Sequence, residues 1–505
     1  MNAPVTRALQ PAAPHAQPRP AGALAPVAPT APAAPPERLD SSATPAAAAT
    51  PTAPAEIQPP AYLEPDVAAE RARKGREAEF TAGTPDPEVA RRGAPAYFRT
   101  YEQVKQGLID LQTKYPQLVE VRDIGDSSEK VAGKANRDVW LLRLTNKDAS
   151  GPKPSAMHIA GEHAREIANP ELVLRYATQL LEGFGRDPEA TALLNSRIID
   201  IVPMMNPDGH AVVEQGYASS NSSKLWQRKN TAPPSGVDLN RNYEFRWGGP
   251  GAGSNPSSDT YRGPSAASEP EVQAVQRHVA ESKPGIFIDW HSHSKLNLYP
   301  WGDTREPAPD KAGLDAVARK FSTFNQYTPM QSIGLYPTSG TSKDYVYGTH
   351  RIPAFTVETG ESFHQTDQEF DTVWADNAPV IGYANKIADA PFERVKGPDV
   401  IDLNVTAAGV ARGVAPGTGL LSAQLQAPAG SALRGAELLR DPNARPGTGV
   451  PLVPADGMFD SASELARASL PQPDAATHEL IYVRAQDAQG NWGPTTAQWL
   501  KGTPA

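Results

Sequence analysis

Apolar residues in the middle of the chain follow two rhythms. From Tyr101 to Tyr115, the residues Val104, Leu108, Leu111 and Tyr115 recur at helical spacing, and Leu172, Val173, Tyr176 and Leu180 share a second helical face. Asn169 and Pro170 suit the start of that second helix, and Gly183 suits its end. Between such stretches lie short, nearly unbroken apolar runs: Asp138 to Leu144, Ala156 to Ala160, Ile198 to Met205, Ile286 to Trp290 and Ala354 to Val357. Runs of this kind predict strands buried on both faces. Strands alternating with helices from Tyr97 to about Ala388 imply an α/β fold: a mixed, mostly parallel sheet with helices on both faces.

The two ends read differently. Residues 1–62 are dominated by Ala and Pro, offer no amphipathic period, and are expected to be a disordered tether. Residues 63–96 form a charged linker, with a short helix expected at Val67 to Arg73. The catalytic domain is placed at residues 97–390. Beyond it, at 398–502, Leu420 to Leu425, Leu480 to Ala485 and Gln498 to Leu500 alternate like strands between Gly, Pro and Asp turns, which predicts a small all-β sandwich.

Composition narrows the chemistry. Among 505 residues there are 48 basic and 57 acidic ones, a formal charge of −9, and no basic run longer than Arg71 to Lys74, so no nucleic-acid partner is expected. No apolar stretch approaches the ~18 residues of a membrane span, and no apolar signal core follows Met1 to Arg7. Cysteine is absent, so any metal site must use His and carboxylates.

Polar residues gather where the predicted strands end. His163 and Glu166 follow one run, Asn206 to Gly209 follow another, His291 ends a third and Glu358 a fourth. Open α/β sheets place their sites at these carboxyl ends. A His and a Glu three positions apart, with a distant His, can supply three ligands to a catalytic zinc and leave a position open. His158 lies within a strand run and reads as a core residue, His210 follows a turn, and His350 and His364 fall in expected loops.

Further motifs stand in order along the chain: Trp226 to Asn230, Gly236 to Asn242, His291 to Gly302, Tyr336 to Gly340 and Phe355 to Glu358. Together with Gly161 to Glu166 they resemble the zinc metallocarboxypeptidases of the carboxypeptidase A, B and T family, over roughly Tyr97 to Ala388. The resemblance implies one Zn2+ held by His163, Glu166 and His291, with Asp238 orienting His163 from behind. It implies Glu358 as the general base and Arg228 as the cation facing the oxyanion, with Lys229 the other candidate because Gln227 lengthens the usual spacing. Asn240 and Arg241 match the clamp for a free C-terminal carboxylate, Tyr336 the tyrosine that caps it, and Arg165 the outer cleft. His293 matches a position near the cleft.

By the same resemblance Lys343 stands on the specificity-pocket floor, which favours C-terminal Glu or Asp, with Leu298, Gly302, Gln331, Thr338 and Thr356 around it. The plainer role for Lys343 is a pair with Asp344. The implied substrate is a peptide or protein C-terminus, processed by a monomer. Two alternatives stay open: a peptidoglycan or γ-glutamyl carboxypeptidase, and a non-catalytic peptide-binding or adhesion protein. Val483 to Pro494 look like the last strands of immunoglobulin-like or fibronectin-like modules of exported bacterial enzymes, which points to a secreted or periplasmic setting.

Overall fold

In the computed structural model the described residues are 69, 71, 73, 87–406, 418–471, 473 and 478–501. The Ala/Pro-rich expectation for 1–62 lies outside them. Of the helix expected at Val67 to Arg73, Ala69, Arg71 and Arg73 are helical and the rest is undescribed.

Eight strands make the central sheet: β1 (Val119–Asp126), β2 (Asp138–Leu144), β3 (Ser155–Ala160), β4 (Ile198–Val202), β5 (Ile286–His291), β6 (Leu296–Tyr299), β7 (Thr328–Gln331) and β8 (Ala354–Glu358). Their order is β1-β2-β4-β3-β5-β8-β6-β7. The run β4-β3-β5-β8 is parallel, as is β6-β7, while β1-β2, β2-β4 and β8-β6 are antiparallel. Every residue of β5 and β8 is buried, so both faces are covered there. The cover comes from α1 (Tyr101–Lys114), α2 (Ala168–Gly183), α3 (Pro188–Ser196), α4 (Pro207–Ala218), α5 (Pro270–Ser282), α6 (Lys311–Asn325), α7 (Ser342–His350) and α8 (Asp367–Lys386). For example, α2 and α8 pack against β3, α5 against β1, and α6 against β6 and β7.

Local chemistry sets the boundaries. Thr100 and Gln103 form a capping box at the start of α1, which buries Tyr101, Val104 and Leu108. Helix α2 begins one residue before the expected cap, at Ala168. Asn169 sits in its first turn and spends its amide on the sheet edge, donating to Ser292 Oγ at 3.1 Å and accepting from Thr359 Oγ1 at 2.8 Å. Strand β4 stops at Val202, short of the expected Met205, because Pro203 has no N–H for a ladder. His210 lies inside α4, because Asn206 caps the Pro207–Gly209 turn through a bond from Gly209 N (2.9 Å). His350 closes α7 rather than lying in a loop.

Eight further strands, β9 (Asp399–Thr406), β10 (Thr418–Gln426), β11 (Leu433–Leu439), β12 (Val450–Pro451), β13 (Val453–Pro454), β14 (Ser463–Pro471), β15 (His478–Asp487) and β16 (Thr496–Lys501), form two antiparallel sheets, β13-β14-β10-β9 and β12-β11-β15-β16. Burial alternates residue by residue along β10, and the two sheets share a core containing Leu421, Leu425, Leu438, Ile481 and Val483. Ala192 of α3 packs with Leu439, Tyr482 and Ala497, and Asn443 donates to Pro152 O (3.2 Å). Pro152 and α3 lie just ahead of β3 and β4 in sequence, so these strands dock near the amino ends of the central sheet, opposite the edge where the polar residues collect.

Candidate active site

Three parallel strands deliver the central groups. In the β5–β8 register His291 pairs with Glu358, and in the β3–β5 register Ala160 pairs with Trp290, so the chain leaves β3 beside His291. Gly161 makes the turn out of β3 at φ +66°, where a Cβ would meet Met204 Cα and Pro170 Cγ, each at 3.3 Å. His163 and Glu166 follow. Thr359 N, one residue after Glu358, donates to His291 O at 2.7 Å and locks the two strand ends together.

The donor atoms of His163, Glu166 and His291 converge. His163 Nδ1 lies 2.7 Å from Glu166 Oε1 and 3.1 Å from His291 Nδ1, and His291 Nδ1 lies 3.1 Å from Glu166 Oε2. All three side chains are buried. Behind them, His163 Nε2 faces Asp238 Oδ1 at 3.2 Å and His291 Nε2 faces Asp289 Oδ2 at 2.9 Å. A carboxylate at each Nε2 keeps the proton there and leaves a lone pair on each Nδ1. Two such lone pairs 3.1 Å apart can share one cation between them. Two imidazoles and a carboxylate with a fourth side open form the donor set of a catalytic zinc, so the residues fit that ion.

Charge around the cluster is organised for a cation. Burial opposes ionisation of Glu166, but the two imidazoles outweigh it and lower its pKa. Burial likewise opposes ionisation of Asp238, yet Arg228 and Arg241 hold it well below the usual carboxylate range. Asp238 Oδ2 accepts from Arg228 Nε at 3.1 Å and Nη2 at 3.0 Å, while Arg228 Nη1 comes within 3.4 Å of His163 Nδ1. Arg228 therefore faces the cluster. Lys229 turns away and donates to Pro256 O (2.8 Å) and Ser258 O (2.9 Å).

One cleft is lined by His163, His291 and Glu358 together with Asn240, Arg241, Tyr336 and Lys343. Asp238 caps the short helical turn Leu239–Arg241 and so aims both clamp candidates. Asn240 Oδ1 accepts from Ser342 N (3.1 Å), and Arg241 is oriented by Gly251 O (3.0 Å to Nε) and Asn240 O (2.8 Å to Nη1). Arg241 and Tyr336 also line a neighbouring cavity of about 510 Å³. Lys343 is 3 % exposed, with Nζ 3.4 Å from Thr341 Oγ1 and 3.6 Å from Asp344 Oδ1. Leu298, Thr338 and Thr356 line the same cleft. Gln331 instead donates to Thr304 O (2.8 Å) and Glu306 O (3.1 Å), outside the lining. Gly302 abuts it, with N donating to Asp344 Oδ2 at 2.9 Å. Arg165 lies over the Phe363 ring (4.3 Å), and His293 packs on the same ring (4.8 Å).

Further carboxylates flank the cluster. Asp289 stands two positions before His291 in β5, on the same face of the strand, and so reaches its Nε2. Glu162, fully buried beside it, lies 3.4 Å from the same nitrogen, and burial together with Asp289 pushes its carboxyl well above the ordinary range. His158 bonds to Asn385 Oδ1 (2.9 Å) inside the core, with its pKa lowered to about 4 by burial.

An eight-stranded mixed sheet with a two-His, one-Glu donor set at its carboxyl ends has the fold and donor set of the metallopeptidase class. The model of the zinc carboxypeptidase (peptidase M14) family matches residues 104–380, more than half of the chain, and the chain belongs to that family. It is 33 % identical over 263 residues to carboxypeptidase A2 of Mus musculus, a match covering 50 % of this chain and 59 % of the relative. It is 34 % identical over 295 residues to a zinc carboxypeptidase of Saccharothrix mutabilis subsp. capreolus, covering 54 % and 65 %. The chain thus spans less than two thirds of these relatives' length. Thrombin-activatable fibrinolysis inhibitor shares the fold, with a TM-score of 0.51 at 24 % identity over 58 % of this chain and 77 % of that one.

Proposed function

We propose that the protein is a zinc-dependent metallocarboxypeptidase that hydrolyses the last peptide bond of peptides or proteins, with a preference for acidic C-terminal residues. The observation that carries this reading is the single cleft into which a metal-fitting cluster, a carboxylate base and a carboxylate clamp all open. Bound at His163, Glu166 and His291, zinc would supply Lewis acidity, polarising the scissile carbonyl and acidifying a water.

The chain's own groups do the rest. Glu358, level with His291 across the β5–β8 pair, takes the proton of the attacking water and returns one to the leaving amine. Arg228, fixed by Asp238, meets the negative charge that develops on the carbonyl oxygen. Arg241, with Asn240, binds the terminal carboxylate through its planar fork, and Tyr336 covers it. Arg165 lines the outer cleft beside Phe363 and His293. In the pocket, the 3.6 Å pair with Asp344 is long for a charged hydrogen bond, so a substrate carboxylate is a better partner for Lys343.

Residues 97–390 are assigned to catalysis and 398–502 to an accessory module of immunoglobulin-like or fibronectin-like type, in a monomer working in a secreted or periplasmic setting. No helix among the described residues is long and apolar enough to cross a membrane. Metal analysis of the purified protein, coupled to C-terminal ladder sequencing of a peptide mixture, tests the reading. One zinc per chain and stepwise loss of C-terminal residues support it. Zinc without any cleavage favours a binding protein on the same fold, and cleavage confined to peptidoglycan stems or γ-glutamyl peptides favours that narrower enzyme.

A further inference from the structure

The loop between Glu358 and α8 carries Phe363, the ring against which Arg165 and His293 pack. The next residue, His364, looks from sequence like an ordinary loop histidine. In the structure it is 4 % exposed, with both ring nitrogens and one ring face engaged. Nε2 lies 3.0 Å from Leu225 O, Nδ1 lies 2.8 Å from Tyr217 OH, and the ring stacks on Trp226 at 5.1 Å and 23°. A carbonyl only accepts, so Nε2 carries the proton and Nδ1 accepts from the tyrosine hydroxyl. The His364 carbonyl in turn accepts from Arg92 Nη2 at 2.8 Å.

Two of these partners stand just ahead of Arg228 in the chain. Leu225 and Trp226 lead directly into Arg228, whose own carbonyl is pinned by Ala164 N at 3.1 Å and Asn206 Nδ2 at 3.3 Å. Arg228 is thus held at its own backbone on one side and through the His364 ring on the other. We propose that His364 is a positioning residue, a latch that fixes the segment bearing Arg228 against the loop that follows the base Glu358. The latch ties the placement of Arg228, which faces the carbonyl oxygen, to the loop after Glu358, which takes the proton of the attacking water, and it holds the Phe363 loop in the same step. The inference rests on the carboxypeptidase reading for its catalytic consequence but not for its structural one.

The test uses the full zinc-loaded chain with His364→Phe, which keeps a ring on Trp226 and loses both hydrogen bonds, and His364→Gln, whose amide can donate to Leu225 O and accept from Tyr217. Hydrogen exchange should rise in His364→Phe over residues 225–229 and 359–365, with the central strands unchanged. Steady-state cleavage of an N-acyl dipeptide ending in Glu should show kcat reduced about tenfold or more with KM within about threefold, since misplacement by an ångström costs on this scale. His364→Gln should recover most of both effects. Tyr217→Phe, a gentler change that keeps the fold if His364→Phe does not, should show the same pattern at smaller size. Unchanged exchange in those two segments, or wild-type kcat in a folded His364→Phe, overturns the latch. An inactive wild-type protein counts against the proposed function instead, and the exchange measurement still decides the latch.

Discussion

Lys343 gives the most exposed prediction, because its charge is buried for a reason the site must supply. Replacing it with Met keeps length and apolar bulk while removing the ammonium. A hydrogen bond to a charged group is worth about 1.5–3 kcal/mol. Part of that is already taken by Asp344 at 3.6 Å and Thr341 at 3.4 Å, so the net gain from a substrate carboxylate is placed at about 1.5–2.5 kcal/mol. The ratio of kcat/KM for matched N-acyl dipeptides ending in Glu and in Leu should therefore fall about 10- to 70-fold in Lys343→Met, at about 1.4 kcal/mol per factor of ten. The change should come mainly from the Glu substrate. The partner left behind reports independently: burial already raises Asp344, and Lys343 is the charge that opposes this. Without Lys343 the carboxyl rises further, so the variant's stability deficit should be small below the ordinary Asp range and grow as pH climbs through the raised value. A Glu-to-Leu ratio within twofold of wild type, in a folded Lys343→Met, would refute the pocket assignment.

Glu358→Gln should retain stoichiometric zinc by metal analysis while losing about 10²–10⁴-fold in kcat, the usual worth of a general base; substantial remaining activity would remove Glu358 from that role. Asp238→Asn should weaken zinc about 10- to 100-fold in chelator competition, because His163 loses its anionic partner at 3.2 Å. Away from the site, burial raises Glu271 to about 8, opposed by the hydrogen bond from Ser128 N. Its folded pKa lies above its unfolded one, so its contribution is fully present below the unfolded pKa and is lost as pH rises toward about 8. Glu271→Gln should thus gain on wild type by up to about 1.4 kcal/mol per pH unit between pH 5 and 8 in urea melts, and a constant difference would contradict this.

How much was legible from sequence depended on whether a feature is local. The buried strands β3, β5 and β8 announce themselves as apolar runs because both faces are covered, and their carboxyl ends carry His163, His291 and Glu358 within a few residues. The outer limit of β4 is hidden in the sequence because the apolar run continues past Pro203, where the ladder cannot. By its type Asn169 suits a cap, whereas its amide is used across space on Ser292 and Thr359. Asp289 partners His291 at the two-residue spacing that puts both on one face of β5, whereas the contacts of Glu162 and His364 come from other strands and helices, and no spacing in the chain encodes those. The motif favours Arg228 over Lys229 despite the extra Gln227, and the two carbonyls that bind Lys229 turn it away from the cluster.

Hydrolysis at a free C-terminus by a zinc site is the reaction proposed for this cleft. Its most direct test is mass spectrometry of one peptide ending in Glu, offered as the free acid and as the C-terminal amide to the same zinc-loaded protein. Single-residue removal from the acid, at least about a hundredfold faster than from the amide and abolished by chelation, is the predicted result, since the Arg241 contact to a carboxylate is a charge-assisted bond. Equal cleavage of both forms, or cuts within the peptide, would contradict the account.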